Sequence, residues 1–428
     1  MAFPLPDKPS IAVLPFTNMS DDPEQEYFAD GMTEDLITDL SKISGLFVIA
    51  RNSSFSYKGQ QVKVRQVAEE LGVRFVLEGS VRRSGDQVRI NAQLIDATTG
   101  GHLWAERYDG TLADVFGLQD TVTERIVSAL AVHLTVGEEA RVSRRETDDV
   151  AAYDAFLQGW EHYRRRTPGE FAKAVGYFER AVKLDQQYGR AYAALAIIYW
   201  KSWLWSVMTM SPSMPSPWTR TLDIPVVYAP DRAKEYLDMA MRNPTALAHQ
   251  VASEMHWRNG QYDEAIAEAE SAIALNSNDS AGYVAMAEAL IFGGRSEEAF
   301  EYVEIAMRLD PFSAVNLYLL GLGHFSLGQL EKAATLFERA LERSPFNRSW
   351  KAPLAAIYAH IGHAEEARAA LGDYGGGTST VRDIMDLWPF KDAGVAERFA
   401  TGIVKAGVCC EENLEHYLND LSKAGLED

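Results

Sequence analysis

A spacing of 34 residues organises the second half of the chain. Ala265, Ala299, Ala333 and Ala367 follow one another at this interval, and the first three each begin a run Ala-x3-Φ-x2-Ala, where Φ is small or apolar. A glycine stands five residues before each of these alanines, at positions 260, 294, 328 and 362. Glycine adopts positive φ without steric cost and commonly ends a helix. The pattern predicts an all-α solenoid of helical hairpins, with each glycine at the turn inside a hairpin.

This 34-residue pattern resembles the tetratricopeptide repeat. The family's closing proline is present at Pro311 and Pro345, and Ser277 replaces it in the preceding copy. An earlier copy of the alanine motif at 174–181 extends the array, so about six hairpins are expected over residues 150–373. An insertion near 201–229 interrupts the second hairpin and either offers a partner surface or packs onto the solenoid. Its large apolar residues are Trp203, Trp205, Met208, Met210, Met214 and Trp218.

The resemblance also implies a binding groove. In this family, the second, fifth, ninth and twelfth positions of each first helix face a concave surface that binds a protein or peptide. Counting back from the phased alanines, the predicted partner-binding residues are Gln250, Glu254, Trp257, Val284, Glu288, Ile291, Tyr318, Leu322 and Phe325. The alternative is that some of them, above all the aromatic ones, pack beneath the C-terminal segment. Residues 374–428 are expected to form two capping helices, over 395–405 and 411–423.

Residues 9–137 predict a separate α/β domain with a mixed sheet. Apolar runs at 10–16 and 46–50 are typical of buried strands, and each is followed by an amphipathic helix, which favours parallel neighbours. Three further runs, 75–83, 88–96 and 102–108, are separated by turn residues and partly alternate in polarity, as in antiparallel strands. A helix over about 113–134 closes the unit.

Five motifs in this region resemble the TolB N-terminal-like domain, in the version that precedes tetratricopeptide repeats. They are Ile11-Ala-Val-Leu-Pro-Phe-x-Asn-x-Ser20, Tyr27-Phe-Ala-Asp-Gly31, Leu77-Glu-Gly-Ser80, Val88-Arg-Ile-Asn-Ala-Gln-Leu-Ile-Asp96 and Leu103-Trp-Ala-Glu-x-Tyr-Asp109. The resemblance implies a bacterial signalling protein, because such regions follow class III adenylate or guanylate cyclase domains or winged-helix DNA-binding domains. The opening Pro4-Leu-Pro6 is similar to the linker before such a region, so we expect a separated or truncated regulatory half.

The composition of the chain argues against several classes of function. The formal net charge of −20 lacks the basic stripe that nucleic acid binding requires, so no nucleic acid partner is predicted. Two adjacent cysteines, Cys409 and Cys410, predict neither a disulfide framework nor a metal cluster. The N-terminus lacks the features of a signal peptide, and the most apolar stretch, 197–210, is too short to span a bilayer. These features predict a cytoplasmic protein with no membrane association.

No catalytic motif, cofactor site or metal site is predicted. The carboxylates between Asp21 and Asp35 crowd the start of a helix, where the macrodipole stabilises negative charge, and a solvated acidic face is favoured over a metal site. A small-molecule site is a further hypothesis, because ligands of open α/β sheets bind at the carboxyl ends of strands. The candidate residues are Asn18, Ser20, Arg51, Asn52, Ser53 and Ser54. Turn chemistry is the alternative explanation of these polar residues.

The sequence therefore predicts a non-enzymatic regulatory or scaffold protein. Its repeats would bind a protein or peptide partner, and its effector would be a nucleotide cyclase or a transcription regulator. The alternatives are a part of an adenylate or guanylate cyclase system, and a small-molecule receptor that uses the α/β domain. Formation of homo-oligomers is left open.

Overall fold

A computed structural model describes residues 3–209, 216–374, 380–408, 414 and 417–419. Its N-terminal part contains a mixed sheet of six strands in the order β3-β1-β4-β5-β6, in which β2 continues beside β4. The strands are β1 (Ser10–Val13), β2 (Thr17–Asn18), β3 (Phe47–Val48), β4 (Phe75–Ser84), β5 (Gln87–Asp96) and β6 (Gly101–Thr111). Strand β1 runs parallel to β3 and β4, whereas β4, β5 and β6 are antiparallel. The predicted mixed α/β fold is confirmed.

Helices cover both faces of the β3-β1-β4 half of the sheet. They are α1 (Glu26–Ser41), α2 (Arg51–Phe55), α3 (Val64–Leu71) and α4 (Val115–Ala129). Because side chains alternate along a strand, Ile11 and Val13 lie in the core with α1 and α4, while Ala12 and Leu14 pack against α3. The short helix α2 was not predicted, since its sequence reads as a polar turn. The first apolar run also ends as a strand at Val13 rather than at Phe16.

The rest of the described chain is helical. Helix α5 (Val136–Val142) follows the α/β region, and six antiparallel helix pairs come next: α6 (Val150–Arg164) with α7 (Pro168–Leu184), α8 (Gly189–Thr209) with α10 (Ala229–Ala240), α11 (Ala246–Arg258) with α12 (Tyr262–Leu275), α13 (Ser280–Phe292) with α14 (Ser296–Leu309), α15 (Ala314–Ser326) with α16 (Leu330–Arg343), and α17 (Lys351–His360) with α18 (Ala364–Tyr374). Short α9 (Pro217–Arg220) precedes α10. Gly260, Gly294, Gly328 and Gly362 all have φ between 73° and 87°, as their predicted turn position requires. The four phased alanines are fully buried.

The predicted insertion packs onto the solenoid. Helix α8 runs on to Thr209, so the beginning of the insertion is helical. The rings of Trp205 and Trp218 lie 4.5 Å apart, and both contact Phe171 of α7 at 5.3–5.4 Å. Of the alternatives, packing is therefore the one observed for these tryptophans. Met210 and Met214 lie outside the described residues, as does the side chain of Met208.

Two further helices follow the last pair, α19 (Val381–Met385) and α20 (Ala393–Ala406). Helix α20 corresponds to the first predicted capping helix and packs against α17. The second predicted helix, over 411–423, lies mostly outside the described residues. Among the helices that are described, none combines the length and hydrophobicity that a bilayer crossing requires.

The α/β region and the helical repeats share one hydrophobic core. Phe156 and Leu157 of α6 are buried in the same cluster as Phe28 and Leu36 of α1. A Cβ atom added at Gly31 would lie 2.6 Å from the methyl groups of Leu157, so glycine permits the close approach of α1 and α6. The two parts are thus packed together rather than joined only by a linker.

Candidate protein-binding surface

The chain's own C-terminal segment fills one end of the predicted groove. Phe292 of α13 stacks on Trp257 with ring centroids 4.1 Å apart, and Phe390 stacks on the same Phe292 at 5.0 Å. Phe325 of α15 contacts Phe399 of α20 edge-on at 6.1 Å. Large aromatic surfaces that the sequence placed in an open groove are thereby removed from solvent.

The predicted groove residues consequently fall into two groups. Trp257, Ile291, Tyr318, Leu322 and Phe325 are at most 6% exposed. For Tyr318 and Phe325, which contact Trp388 and Phe399, the alternative, packing beneath the C-terminal segment, is what the structure shows. Trp257 is instead covered by Phe292 of the next repeat. Gln250, Glu254, Val284 and Glu288 are partly exposed. They form a strip that we call the open strip, and binding of a partner there stays a prediction.

The two glutamates of the open strip, Glu254 and Glu288, differ in their charged neighbours. Glu254 binds Nζ of Lys201 at 2.6 Å and Nε of Arg258 at 3.4 Å. Burial opposes the ionised form of Glu254, but the two cations outweigh it and lower its pKa. Burial and the neighbouring Glu254 instead raise the pKa of Glu288 to about 7. Lys201 and Arg258 act against this shift, but among the described residues both form their ion pairs with Glu254 and neither forms one with Glu288.

The open strip continues into a cavity between the repeats and the α/β domain. Its volume is about 390 Å³, and its walls include Gln250, Asp279 and Ala281 of the repeats and Arg51 and Asn52 of the α/β domain. The side chain of Gln250 donates to Asp279 at 2.6 Å. Ala281 is exposed, so the cavity opens beside the first turn of α13.

Two of the residues predicted as a ligand site, Asn52 and Ser53, instead bind the repeat domain. Ser53 Oγ donates to Asp310 Oδ1 at 2.5 Å, and Asn52 Nδ2 donates to Oδ2 of the same carboxylate at 3.1 Å. The backbone N–H of Phe312 donates to Ser53 Oγ at 3.0 Å, and that of Ala50 to the carbonyl of Leu309 at 2.8 Å. Binding of a small molecule by the polar groups at the carboxyl end of β3 stays a prediction. Their observed partner is the repeat domain.

The six candidate residues do not form one site. Asn18 and Ser20 lie at the end of β2, where the N–H of Ser20 donates to Asn18 Oδ1 at 2.9 Å and Ser20 Oγ accepts from the N–H of Arg83 at 2.9 Å. Ser54 is fully buried. Of the six, Asn18 alone reaches a large open cleft of about 1140 Å³ over the outer face of the sheet. This cleft is also lined by motif residues from four segments: Pro15, Phe16, Glu78, Gly79, Ser80, Asn91, Gln93 and Glu106.

The expectation of a solvated acidic face is wrong for the second half of the acidic cluster. Glu34 accepts from the indole N–H of Trp160 at 2.7 Å, and it forms ion pairs with Arg51 at 2.8 Å and with Arg164. Asp35 binds Arg190 at 3.1 Å. These carboxylates face α6 and α8 because α1 packs on the repeats, whereas Asp21, Asp22 and Glu24 are exposed as expected. In the described part of the chain, no three His, Cys, Asp or Glu side chains converge as metal ligands would.

Burial shapes the ionisation of this interdomain cluster. It lowers the pKa of Arg164 to about 9 and that of Arg51 to about 10. Burial also raises the pKa of Asp35, against the effect of Arg190. For Arg190, Glu146 and Asp35 outweigh burial and raise the pKa. The charges therefore depend on one another, and removing one of them leaves its partners desolvated and unpaired.

Equivalent positions of successive repeats contact the α/β domain. Asn278 donates through Nδ2 to the carbonyls of Ser41 and Ile43 at 3.1–3.2 Å. Phe312, 34 residues later, lies against the ring of Tyr57 with centroids 6.1 Å apart. Phe346, a further 34 residues on, is 93% exposed. The α/β domain thus occupies the turns before α13 and α15 and stops short of the turn before α17.

This interface was not predicted from the sequence. Asp310, Arg190 and Asn278 were not singled out, because each stands in a turn or helix start where a polar residue is usual. One signal was available in the sequence: Asp310, next to Pro311, stands in the turn before a helix. Nothing local indicates that such a carboxylate faces another domain.

Comparisons with known proteins agree with this architecture. Family models for the tetratricopeptide repeat match residues 254–314 and 314–347. The chain carries tetratricopeptide repeats. Residues 7–125 match a model described as the second domain of HilA/YgeH-like transcriptional regulators. The architecture predicted from the sequence, an α/β domain of this kind followed by tetratricopeptide repeats, is confirmed.

One curated relative is named "Putative adenylate cyclase 3" and comes from Rhizobium meliloti strain 1021. It is 58% identical over 194 residues, a match that covers 45% of this chain and 33% of the relative. The matched part thus spans about a third of the length of that relative. The activity of the whole relative is therefore considered only as a proposal for this chain.

Two solved structures resemble parts of the chain at low identity and low TM-score. A tetratricopeptide-repeat protein of Thermus thermophilus is 17% identical and overlaps 59% of this chain and all of its own, with a TM-score of 0.29. TolB from Acinetobacter baumannii is 19% identical and overlaps 31% of this chain and 30% of its own, with a TM-score of 0.24. No function is inferred from similarities of this size.

Proposed function

We propose that the chain is a non-enzymatic regulatory unit that binds a protein or peptide partner through its tetratricopeptide repeats and controls a signalling effector. The observation that carries the proposal is the hydrogen-bonded contact between the repeats and the α/β domain, centred on Asp310, Ser53 and Asn52. A solenoid changes shape through small rotations between repeats. A partner that alters the rotation between the fourth and fifth helix pairs would displace the turn that holds the α/β domain.

The effector we propose is a nucleotide cyclase or a transcription regulator. Support comes from two sides: the relative named as an adenylate cyclase, and the match of residues 7–125 to a domain of transcriptional regulators. In this proposal the chain contributes control rather than chemistry. The partner would lie on the open strip, where a positive group could approach Glu288 and Val284 supplies apolar contact.

A pair of matched substitutions tests the binding surface. Ala281→Trp places a large side chain at the mouth of the cavity beside the open strip, and Ala267→Trp places the same side chain on the exposed surface of α12. Proteins crosslinked to the chain in bacterial cells would be compared among the wild type and the two variants. We expect the true partner to be retained by Ala267→Trp and lost with Ala281→Trp, and to bind the purified wild-type chain in calorimetry. If both variants keep the same partners and the same effector output, the proposal is wrong.

The open cleft over the sheet favours a second candidate function, that of a small-molecule receptor. Its volume of about 1140 Å³ exceeds that of typical small-molecule sites, and its floor is built of carboxylate, amide and hydroxyl groups, Glu78, Asn91 and Ser80 among them. A polar metabolite would suit such a floor. Screening of polar metabolites for an increase in Tm tests this candidate, with Asn91→Leu as the variant that should abolish any shift.

A further inference from the structure

Strand β6 leaves one side of its backbone unpaired at the edge of the sheet. It spans eleven residues, Gly101–Thr111, and within the described chain it is hydrogen-bonded to β5 alone. A long exposed edge presents a row of N–H and C=O groups that can pair with another strand. The edge is also partly apolar, since Leu103 is 46% exposed.

Side chains of β6 alternate between the two faces of the sheet. Ala105, Arg107 and Asp109 are exposed on the outer face, while Glu106 and Tyr108 are half-buried on the face that carries the core. Asp109 accepts from Arg89 of β5 at 2.5 Å and binds Arg107 of its own strand at 3.0 Å. Any strand added to this edge must therefore match a fixed order of charges.

We propose that β6 pairs with β6 of a second copy of the chain, antiparallel about a two-fold axis, with Tyr108 opposite its own copy. The inference is independent of the partner proposed above. Directly opposed residues of antiparallel strands lie on the same face, so a two-fold axis perpendicular to the sheet places one residue opposite itself. This restricts the pairing to a few registers, which the side chains distinguish.

Charge decides among these registers. An axis at residue 106, 107 or 109 would place two glutamates, two arginines or two aspartates directly opposite each other, which is unfavourable. An axis at 105 opposes Arg107 to Leu103 and forms no ion pair. An axis at Tyr108 places Arg107 opposite Asp109 of the second copy twice, stacks two tyrosines, and sets Glu106 opposite Gly110. Each such pair contributes roughly 0.2–1 kcal/mol.

Charged residues on edge strands usually prevent association. Of the five registers with an axis at residues 105 to 109, the charged side chains of β6 disfavour three and favour one. These charges therefore select a register and do not only block the edge. The paired sheets would join into one sheet of twelve strands. The second copy is therefore the occupant that the charge order fits.

Sedimentation equilibrium of the full chain tests the proposal. The wild type should associate to a mass of about 95 kDa, twice the 47.5 kDa of one chain. Arg107→Glu would oppose two acids and Asp109→Arg would oppose two arginines, so each single change should raise the dimer Kd about tenfold or more. The double variant Arg107→Glu/Asp109→Arg restores both opposite-charge pairs and should recover dimers.

Arg65→Glu serves as a control, because Arg65 is 78% exposed and belongs to α3 rather than to β6. It should leave the Kd unchanged, and circular dichroism checks that each variant is folded. A wild type that stays monomeric up to about 100 µM overturns the proposal. So does a dimer that is indifferent to Arg107→Glu, or a folded double variant that does not recover association.

Discussion

The hydroxyl oxygen of Ser53 lies 2.5 Å from Oδ1 of Asp310, although 257 residues separate the two in the chain. Asn52 binds the other oxygen of the same carboxylate, so one side chain of the repeats satisfies two side chains of the α/β domain. Asp310 is 2% exposed, and burial raises its pKa. The contact therefore depends on its hydrogen bonds rather than on solvation.

Asp310→Ala should lower the free energy of unfolding by about 2–4 kcal/mol, because two hydrogen bonds to a buried carboxylate are lost and Ser53 and Asn52 lose their acceptors. Urea denaturation followed by fluorescence measures the change. Ser344→Ala is the matched control: Ser344 stands 34 residues later, its hydroxyl accepts from the side chain of Asn347, and its loss should change stability by less than about 0.5 kcal/mol. Ser53→Ala combined with Asp310→Ala should cost less than the sum of the single changes.

Gly31→Ala should destabilise the contact between α1 and α6. The added methyl group would meet the side chain of Leu157 at 2.6 Å in a closely packed core, and we expect a loss of about 1–3 kcal/mol. Gly117→Ala in α4 is the control, because no atom lies within 4 Å of the added group and alanine favours helix. Equal Tm values for Gly31→Ala and the wild type would contradict the shared core.

Glu288→Gln should stabilise the protein at high pH. The folded-state pKa of Glu288 is raised to about 7 by burial and by Glu254, so its favourable protonated form is present at low pH and lost as pH rises through 7. Glutamine stays neutral, and the variant should gain about 1–3 kcal/mol over the wild type at pH 8.5 and almost nothing at pH 4.5. Calorimetry at both pH values measures this. Glu301→Gln, exposed on α14, should show no such dependence, and a Glu288→Gln effect of the same size at both pH values would argue against the assignment.

Phe399→Ala should cost about 3–5 kcal/mol, because this fully buried ring contacts Phe325, Trp388 and Phe390. Phe346→Ala removes an identical side chain that is 93% exposed, and it should leave stability nearly unchanged. Thermal unfolding and tryptophan fluorescence compare the two. A small effect of Phe399→Ala would mean that the C-terminal segment is easily displaced from the groove.

Features with short-range causes could be predicted from the sequence. The buried alanines and the positive-φ glycines follow from the 34-residue phase, since both concern contacts within one hairpin or between neighbours. The parallel and antiparallel halves of the sheet follow from apolar runs and turn residues.

The contacts made over long distances could not be predicted. Glu34 and Asp35 have the pattern of an exposed helix start, and only their position against Arg190 and Arg164 shows otherwise. Likewise Tyr318 and Phe325 have the pattern of an open groove, and only the positions of Trp388 and Phe399 show that they are covered. Periodicity describes how an element faces its neighbours, but it carries no information on which distant segment covers it.

The attachment of the α/β domain to successive repeat turns has a mechanical consequence. Asn278 and Phe312 occupy equivalent positions in adjacent repeats, and both are fixed to the same rigid sheet domain. The domain therefore fixes the separation of these two turns, and with it the local curvature of the solenoid. Beyond Phe312 the repeats are not held in this way, so bending of the array is expected to concentrate at the turn that bears Phe346.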